Sequence, residues 1–195
     1  MQYPLVELAA GIIFLLIYLE FGIWDLLFYW LIAGLLIVIF VYDLKYYIIP
    51  DKIIYPAIII AGIFNFFAPL DNFISNGASF LIFNEFSIFK FSILSAIGAA
   101  AFFLSIVLIS QGRWMGVGDI KLAFFMGLFL GFPNILVALF LAFFIGALAG
   151  LILVFFNKKT LKSEIPFGPF LITGTFLALF WGSKIIDWYQ GLFLV

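Results

Sequence analysis

Two aspartates stand in a chain that has few charges to spare. Asp119 lies in Met115-Gly116-Val117-Gly118-Asp119-Ile120-Lys121-Leu122, a glycine-loosened turn that delivers one carboxylate to the mouth of an apolar helix. Asp43 opens a second stretch, Asp43-Leu-Lys-Tyr-Tyr-Ile-Ile-Pro50-Asp51, two apolar segments upstream. Ionisable groups at membrane depth are costly, so both are read first as functional. Two segments return a chain to the side it left, which allows Asp43 and Asp119 to meet. Paired carboxylates of this kind suit acid–base work on a water molecule.

Each residue also has a plainer reading. Asp119 sits where an N-cap belongs, and a carboxylate there accepts backbone N–H bonds and faces the positive end of the helix dipole. Gly116 and Gly118 point further, because they permit close approach of another backbone beside the carboxylate. Asp43 follows a predicted helix C-terminus, where the dipole disfavours negative charge, so a structural role explains it less well. Asp51 precedes the third apolar run and reads as its N-cap, holding the turn that Pro50 breaks. Asp43 is therefore preferred over Asp51 as the chemical carboxylate. Lys45 and Lys52 read as anchors on the positive side of the membrane. Lys121 lies close enough to Asp119 to tune its charge. Glu7, inside the first apolar run, needs a partner or a water-lined face. Glu164 reads as a loop charge.

The composition sets the class. Hydrophobic residues make up 67% of the chain and charged residues 10%, against about 45–50% and 25% in ordinary soluble domains. A chain of 195 residues this apolar is predicted to be an all-α integral membrane protein. A net charge of −1 argues against nucleic-acid binding, which wants a basic surface. Cys and His are both absent, which removes thiolate nucleophiles, Cys/His zinc sites and imidazole bases. Carboxylate chemistry or a Ser–Lys pair remains.

Apolar runs of about 17–25 residues are long enough to cross a bilayer. They are predicted at about 4–19, 24–42, 53–68 and 89–109. From Asp119 the chain stays apolar to Phe156, 38 residues, or roughly 57 Å of helix. That is too long for one crossing, and Gly131-Phe-Pro133-Asn134 is the natural break. It leaves a short fifth helix (119–131), with its start recessed below the membrane surface, and a full sixth (about 134–156). Pro166 and Pro169 bracket the start of a seventh (about 166–186). The polar stretch 70–88 receives no reading. No cleavable signal peptide is expected.

Lysine and arginine decide orientation. With the N-terminus inside, Lys45, Lys52, Arg113, Lys121, Lys158, Lys159 and Lys162 face the cytoplasm, against Lys90 and Lys184 outside, seven to two. Treating 119–156 as one helix gives five to four. The expectation is about seven transmembrane helices in a single domain, residues 1–195, with the N-terminus cytoplasmic and the C-terminus outside.

Three motifs in order resemble a known family. Asp43…Ile49-Pro50-Asp51, then Gly116-Val-Gly118-Asp119-Ile-Lys121-Leu, then Glu164-Ile-Pro166-Phe-Gly168-Pro169-Phe look like the bacterial type IV prepilin peptidases, membrane aspartic proteases of the G-x-G-D class. Tyr3-Pro4-Leu-Val-Glu7-Leu is similar to that family's span after its cytoplasmic loop. The resemblance implies cleavage of the leader of type IV prepilins or pseudopilins at the cytoplasmic face of the inner membrane. It places the catalytic aspartates on Asp43 and Asp119. Bacterial members usually carry a further N-terminal span and a cytoplasmic domain with paired cysteines, tied to methylation of the new N-terminus. Neither is found here, so methyl transfer from S-adenosylmethionine is not expected and no cofactor is required. The resemblance says nothing of oligomeric state.

In an aspartic pair, one ionised carboxylate activates water and its neutral partner protonates the carbonyl oxygen. With Asp119 starting a helix and Asp43 ending one, the dipoles predict Asp119 as resting base and Asp43 as resting acid. Two rival readings remain from the residues alone. A cation- or proton-coupled transporter also places carboxylates in a bundle, but the halves show no convincing repeat. A Ser–Lys peptidase would use Ser110 near Arg113 and Lys121, which nothing singles out.

Overall fold

The computed structural model describes residues 3–67, 85–156 and 165–193. Within them lie seven helices: α1 (Tyr3–Glu20), α2 (Ile23–Tyr46), α3 (Asp51–Phe67), α4 (Glu85–Ser110), α5 (Val117–Leu130), α6 (Asn134–Phe155) and α7 (Gly168–Phe193). No strand occurs among the described residues. Asp25–Tyr46, Phe91–Ser110, Asn134–Phe155 and Gly168–Leu192 are long and apolar enough to cross a membrane. The outer surface fits that setting, with Leu, Ile and Phe side chains exposed on every long helix. Most of the polar loop after α3, together with Lys158, Lys159, Lys162 and Glu164, lies outside the described residues.

The shortest helix holds the centre. α5 has 14 residues, about 21 Å of rise, and it packs against α3, α4, α6 and α7. Leu122, Ala123, Phe125 and Met126 are fully buried along it. Lipid supplies no hydrophobic drive between helices, so close backbone packing has to do that work. At Gly127 an added Cβ would lie 2.5 Å from the Ala96 Cα of α4. A Cβ at Gly174 of α7 would collide with the Ala138 carbonyl of α6. Asn65 Nδ2 donates to the Leu128 carbonyl at 2.9 Å and so joins α3 to the far end of α5. α1 packs on α2, with Trp30 Nε1 donating to the Phe14 carbonyl at 3.1 Å.

Several boundaries differ from the sequence expectation. α2 does not stop at Tyr42; nothing in Asp43-Leu-Lys-Tyr breaks a helix, and it ends where Tyr47 turns left-handed at φ 59°. α4 begins at Glu85 rather than near 89. α7 starts at Gly168 and continues to Phe193, past the predicted end at 186, because Lys184 and Asp187 point outward without interrupting it. The break between α5 and α6 falls as expected, at Gly131 (φ 65°) and the cis Phe132–Pro133 bond.

Candidate active site

Asp43 lies within the last turn of α2, where its carbonyl accepts the closing bond from Tyr47 N–H at 2.8 Å. The chain then runs without helix or strand through Ile48, Ile49 and Pro50 into α3. Asp51 does not cap α3 as the sequence suggested. The Pro50 carbonyl starts the helix by accepting from Ile53 and Ile54 at 3.0 and 3.1 Å. Asp51 occupies the first turn, where it is free to bond sideways. It does so with Lys121, whose Nζ lies 2.6 Å from Asp51 Oδ1 and 5.1 Å from the centre of the Tyr55 ring. Lys121 is thus paired with Asp51 and clamps the start of α3 to the start of α5, in place of the expected role beside Asp119.

Asp119 also shifts from its expected place. Gly116 is the N-cap of α5 and Asp119 stands third in the helix. Its Oδ2 accepts from the Gly116 N–H at 3.1 Å, while the Gly116 carbonyl accepts from the Asp119 N–H at 3.1 Å. The two bonds close the Gly-Val-Gly-Asp turn on itself and aim the carboxylate back over the helix mouth. Of the two glycines, Gly118 is the one in a tight place. Gly118 faces Ile49, whose Cβ lies 3.1 Å from where a Gly118 Cβ would be.

The third motif reaches Asp43. Phe167 precedes α7 and its carbonyl accepts from Phe170 and Leu171 at 3.0 and 3.2 Å. Pro169 falls in the first turn, where its missing N–H costs nothing. Gly168 N–H is left to donate to the Asp43 carboxylate. A Cβ at Gly168 would strike Asp43 Oδ2. Pro166 and Phe167 are partly buried, and the Phe167 ring packs on Phe143 of α6 with centroids 5.0 Å apart.

Both carboxylates are nearly sealed, Asp43 at 4% and Asp119 at 8% exposure. They are near enough for the charge of Asp43 to act on Asp119. Like charges brought together in a buried site resist double ionisation. Each carboxylate has a backbone N–H from the start of a helix, Asp119 from its own turn and Asp43 from α7. The donor from α7 offsets the unfavourable end of α2 at Asp43, an influence the sequence argument for asymmetry did not contain.

The remaining candidates stand apart from this pair. Ser110 Oγ donates to the Val107 carbonyl of its own helix at 3.3 Å, so with Lys121 committed to Asp51 no Ser–Lys pair forms. Glu7 is exposed on α1. Among the described residues, no three acidic side chains gather as a metal site would require. Sequence reasoning placed Gly168 in a motif without seeing its purpose; a glycine followed by proline at a helix start was the available signal.

The profile of the type IV leader peptidase family matches residues 30–151. The chain is 32% identical to a prepilin leader peptidase/N-methyltransferase of Legionella pneumophila, over 99% of this chain and 63% of that protein. Proteins of the same description from Pseudomonas aeruginosa and Bacillus subtilis are 29% and 30% identical. Those alignments cover 96% of this chain in both cases, with 61% and 69% of the respective relatives. The chain therefore spans 63% of the length of the Legionella relative. No solved structure matches. The matched residues run from α2 through α6 and take in both aspartates with the turn that holds Asp119, and the chain belongs to the type IV leader peptidase family.

Proposed function

We propose that this chain is a membrane aspartic endopeptidase that cleaves the leader peptide of type IV prepilins or pseudopilins. Asp43 and Asp119 are its catalytic pair. The observation that carries this reading is the convergence of two buried carboxylates, each held by a backbone N–H from a glycine, in a chain of this family. The pair holds one proton. Its ionised member takes a proton from water as the oxygen attacks the scissile carbonyl, and its neutral member donates a proton to the carbonyl oxygen. Collapse of the tetrahedral intermediate then breaks the C–N bond, with a proton passing to the leaving amine.

The seven helices cross the inner membrane with the N-terminus and the pair at the cytoplasmic side, where the basic residues collect. α5 covers about 21 Å, so its mouth lies below the membrane surface and water reaches the pair through a recess. The family match favours this reading over a coupled transporter. Peptide cleavage needs no cofactor here.

The test is cleavage of a prepilin-like peptide by the purified chain in detergent. Asp43→Ala and Asp119→Ala should each lower kcat by a factor on the order of 10³ or more, and the double variant little further, because the two act as one unit. Full activity in either single variant would overturn the assignment.

A further inference from the structure

The link between α2 and α3 contains one side chain that neither the dyad nor the ion pair accounts for. Ile49 is buried at 6% exposure, whereas its neighbour Ile48 is 63% exposed. A residue before proline is biased toward extended backbone, which sets successive side chains on opposite sides. The left-handed Tyr47 before it and Pro50 after it leave the segment little freedom to rotate Ile49 out.

What Ile49 touches is informative. Its Cβ, Cγ1 and Cδ1 lie 3.1, 3.4 and 3.4 Å from a Cβ built at Gly118. Its Cδ1 also lies 3.5 Å from a Cβ built at Gly168. Gly118 immediately precedes Asp119, and Gly168 is the residue whose N–H holds Asp43. One side chain therefore stands between the backbone that carries one carboxylate and the backbone that orients the other. A β-branched residue suits the place, since its χ1 is restricted and it transmits a displacement instead of absorbing it.

We propose that Ile49 is a positioning residue that sets the separation of Asp43 and Asp119 by filling the space between Gly118 and Gly168. The inference rests on the assignment of the two aspartates as the catalytic pair, and a spacing measurement keeps the two claims apart. The role is mechanical: shortening Ile49 lets the starts of α5 and α7 move relative to each other. A carboxylate pair that must share a proton and hold one water tolerates little such movement, and misplacement by about 1 Å can cost on the order of 100-fold in rate.

The chain has no cysteine, so the spacing can be read directly. The full-length Asp43→Cys/Asp119→Cys variant in detergent is treated with bifunctional methanethiosulfonates of graded length. Linkage should peak sharply at one spacer length, and adding Ile49→Ala should broaden or shift that peak. An unchanged peak overturns the proposal. With the aspartates restored, Ile49→Val, which lacks the Cδ1 that reaches both glycines, should lower kcat about three- to tenfold with KM within twofold. Ile49→Ala should lower it on the order of 10–100-fold. Gly118→Ala should also lower kcat, because its added Cβ would lie 3.1 Å from the Ile49 Cβ and push the two segments apart. Losses that appear in KM and leave kcat unchanged overturn the proposal. Should Ile49→Ala fail to fold, Ile49→Val decides, and unaltered kcat there counts against it. Activity surviving in Asp43→Ala would refute the catalytic assignment while leaving the spacing result to stand.

Discussion

Gly168→Ala isolates the contribution of one backbone hydrogen bond to the carboxylate pair. The glycine is not in a left-handed conformation, so alanine fits its backbone, and reduced freedom in the unfolded chain favours the variant by about 0.4–1 kcal/mol. Its Cβ, however, would overlap Asp43 Oδ2. The Gly168 backbone is fixed by the first turn of α7, so the Asp43 side chain is the part that must swing away. It then loses its N–H donor. Hydrogen bonds to charged groups contribute about 1.5–3 kcal/mol, and a factor of ten in rate is about 1.36 kcal/mol. The expected loss in kcat is therefore roughly 10- to 150-fold. The assay is steady-state cleavage of a prepilin-like peptide in detergent, with thermal unfolding followed in parallel. The expected result is a fall in kcat with KM little changed and a melting temperature modestly below that of the wild type, because the lost bond outweighs the gain from the unfolded chain. A kcat within twofold of wild type would refute the reasoning, because it would mean that the donor from α7 does not orient Asp43.

Asp51→Ala and Lys121→Ala should leave cleavage within about fivefold of wild type, the scale of an exposed ion pair. A loss comparable to that of Asp43→Ala would instead place Asp51 in the chemistry. Gly127→Ala forces a methyl into the Ala96 backbone and should destabilise the fold by about 1–3 kcal/mol, seen as a lower unfolding midpoint in detergent. The rate should follow a bell against pH, since the pair works only with one proton. Below the bell both carboxylates are protonated and no base remains; above it both are ionised and no acid remains. A rate that climbs steadily with pH would contradict a shared proton. Mass spectrometry of the cleaved product, with S-adenosylmethionine present, should show a free amine, since the chain has no Gly-rich cofactor fingerprint.

The helical class was legible because apolar runs of spanning length leave few alternatives. The need to split 119–156 followed from helix rise, and Gly131-Phe-Pro133-Asn134 marked where. The two aspartates were legible as a candidate pair from parity, since two runs separate them. Less visible was anything set by tertiary contact. Asp119 was placed where an N-cap belongs, but the cap falls three residues upstream at Gly116, with the Asp119 side chain bonded back to the Gly116 N–H. Asp51 was also read as a cap, while its side chain turned to Lys121 seventy residues away, a choice no local pattern encodes. The expected inequality between the aspartates was drawn from the ends of their own helices. A third helix start, from α7, supplies Asp43 with a donor and shifts that balance, and only the folded arrangement reveals it.

The dependence of Asp43 on α7 bears on how the protein comes into being. Membrane proteins are made from the N-terminus onward, and both aspartates are already in place once α5 has emerged. A nascent chain that has progressed only through α6 thus carries the two acids but not the N–H that aligns the first of them. On the proposed function, alignment of Asp43 therefore waits until α7 has docked on α2 and brought the Gly168 N–H with it.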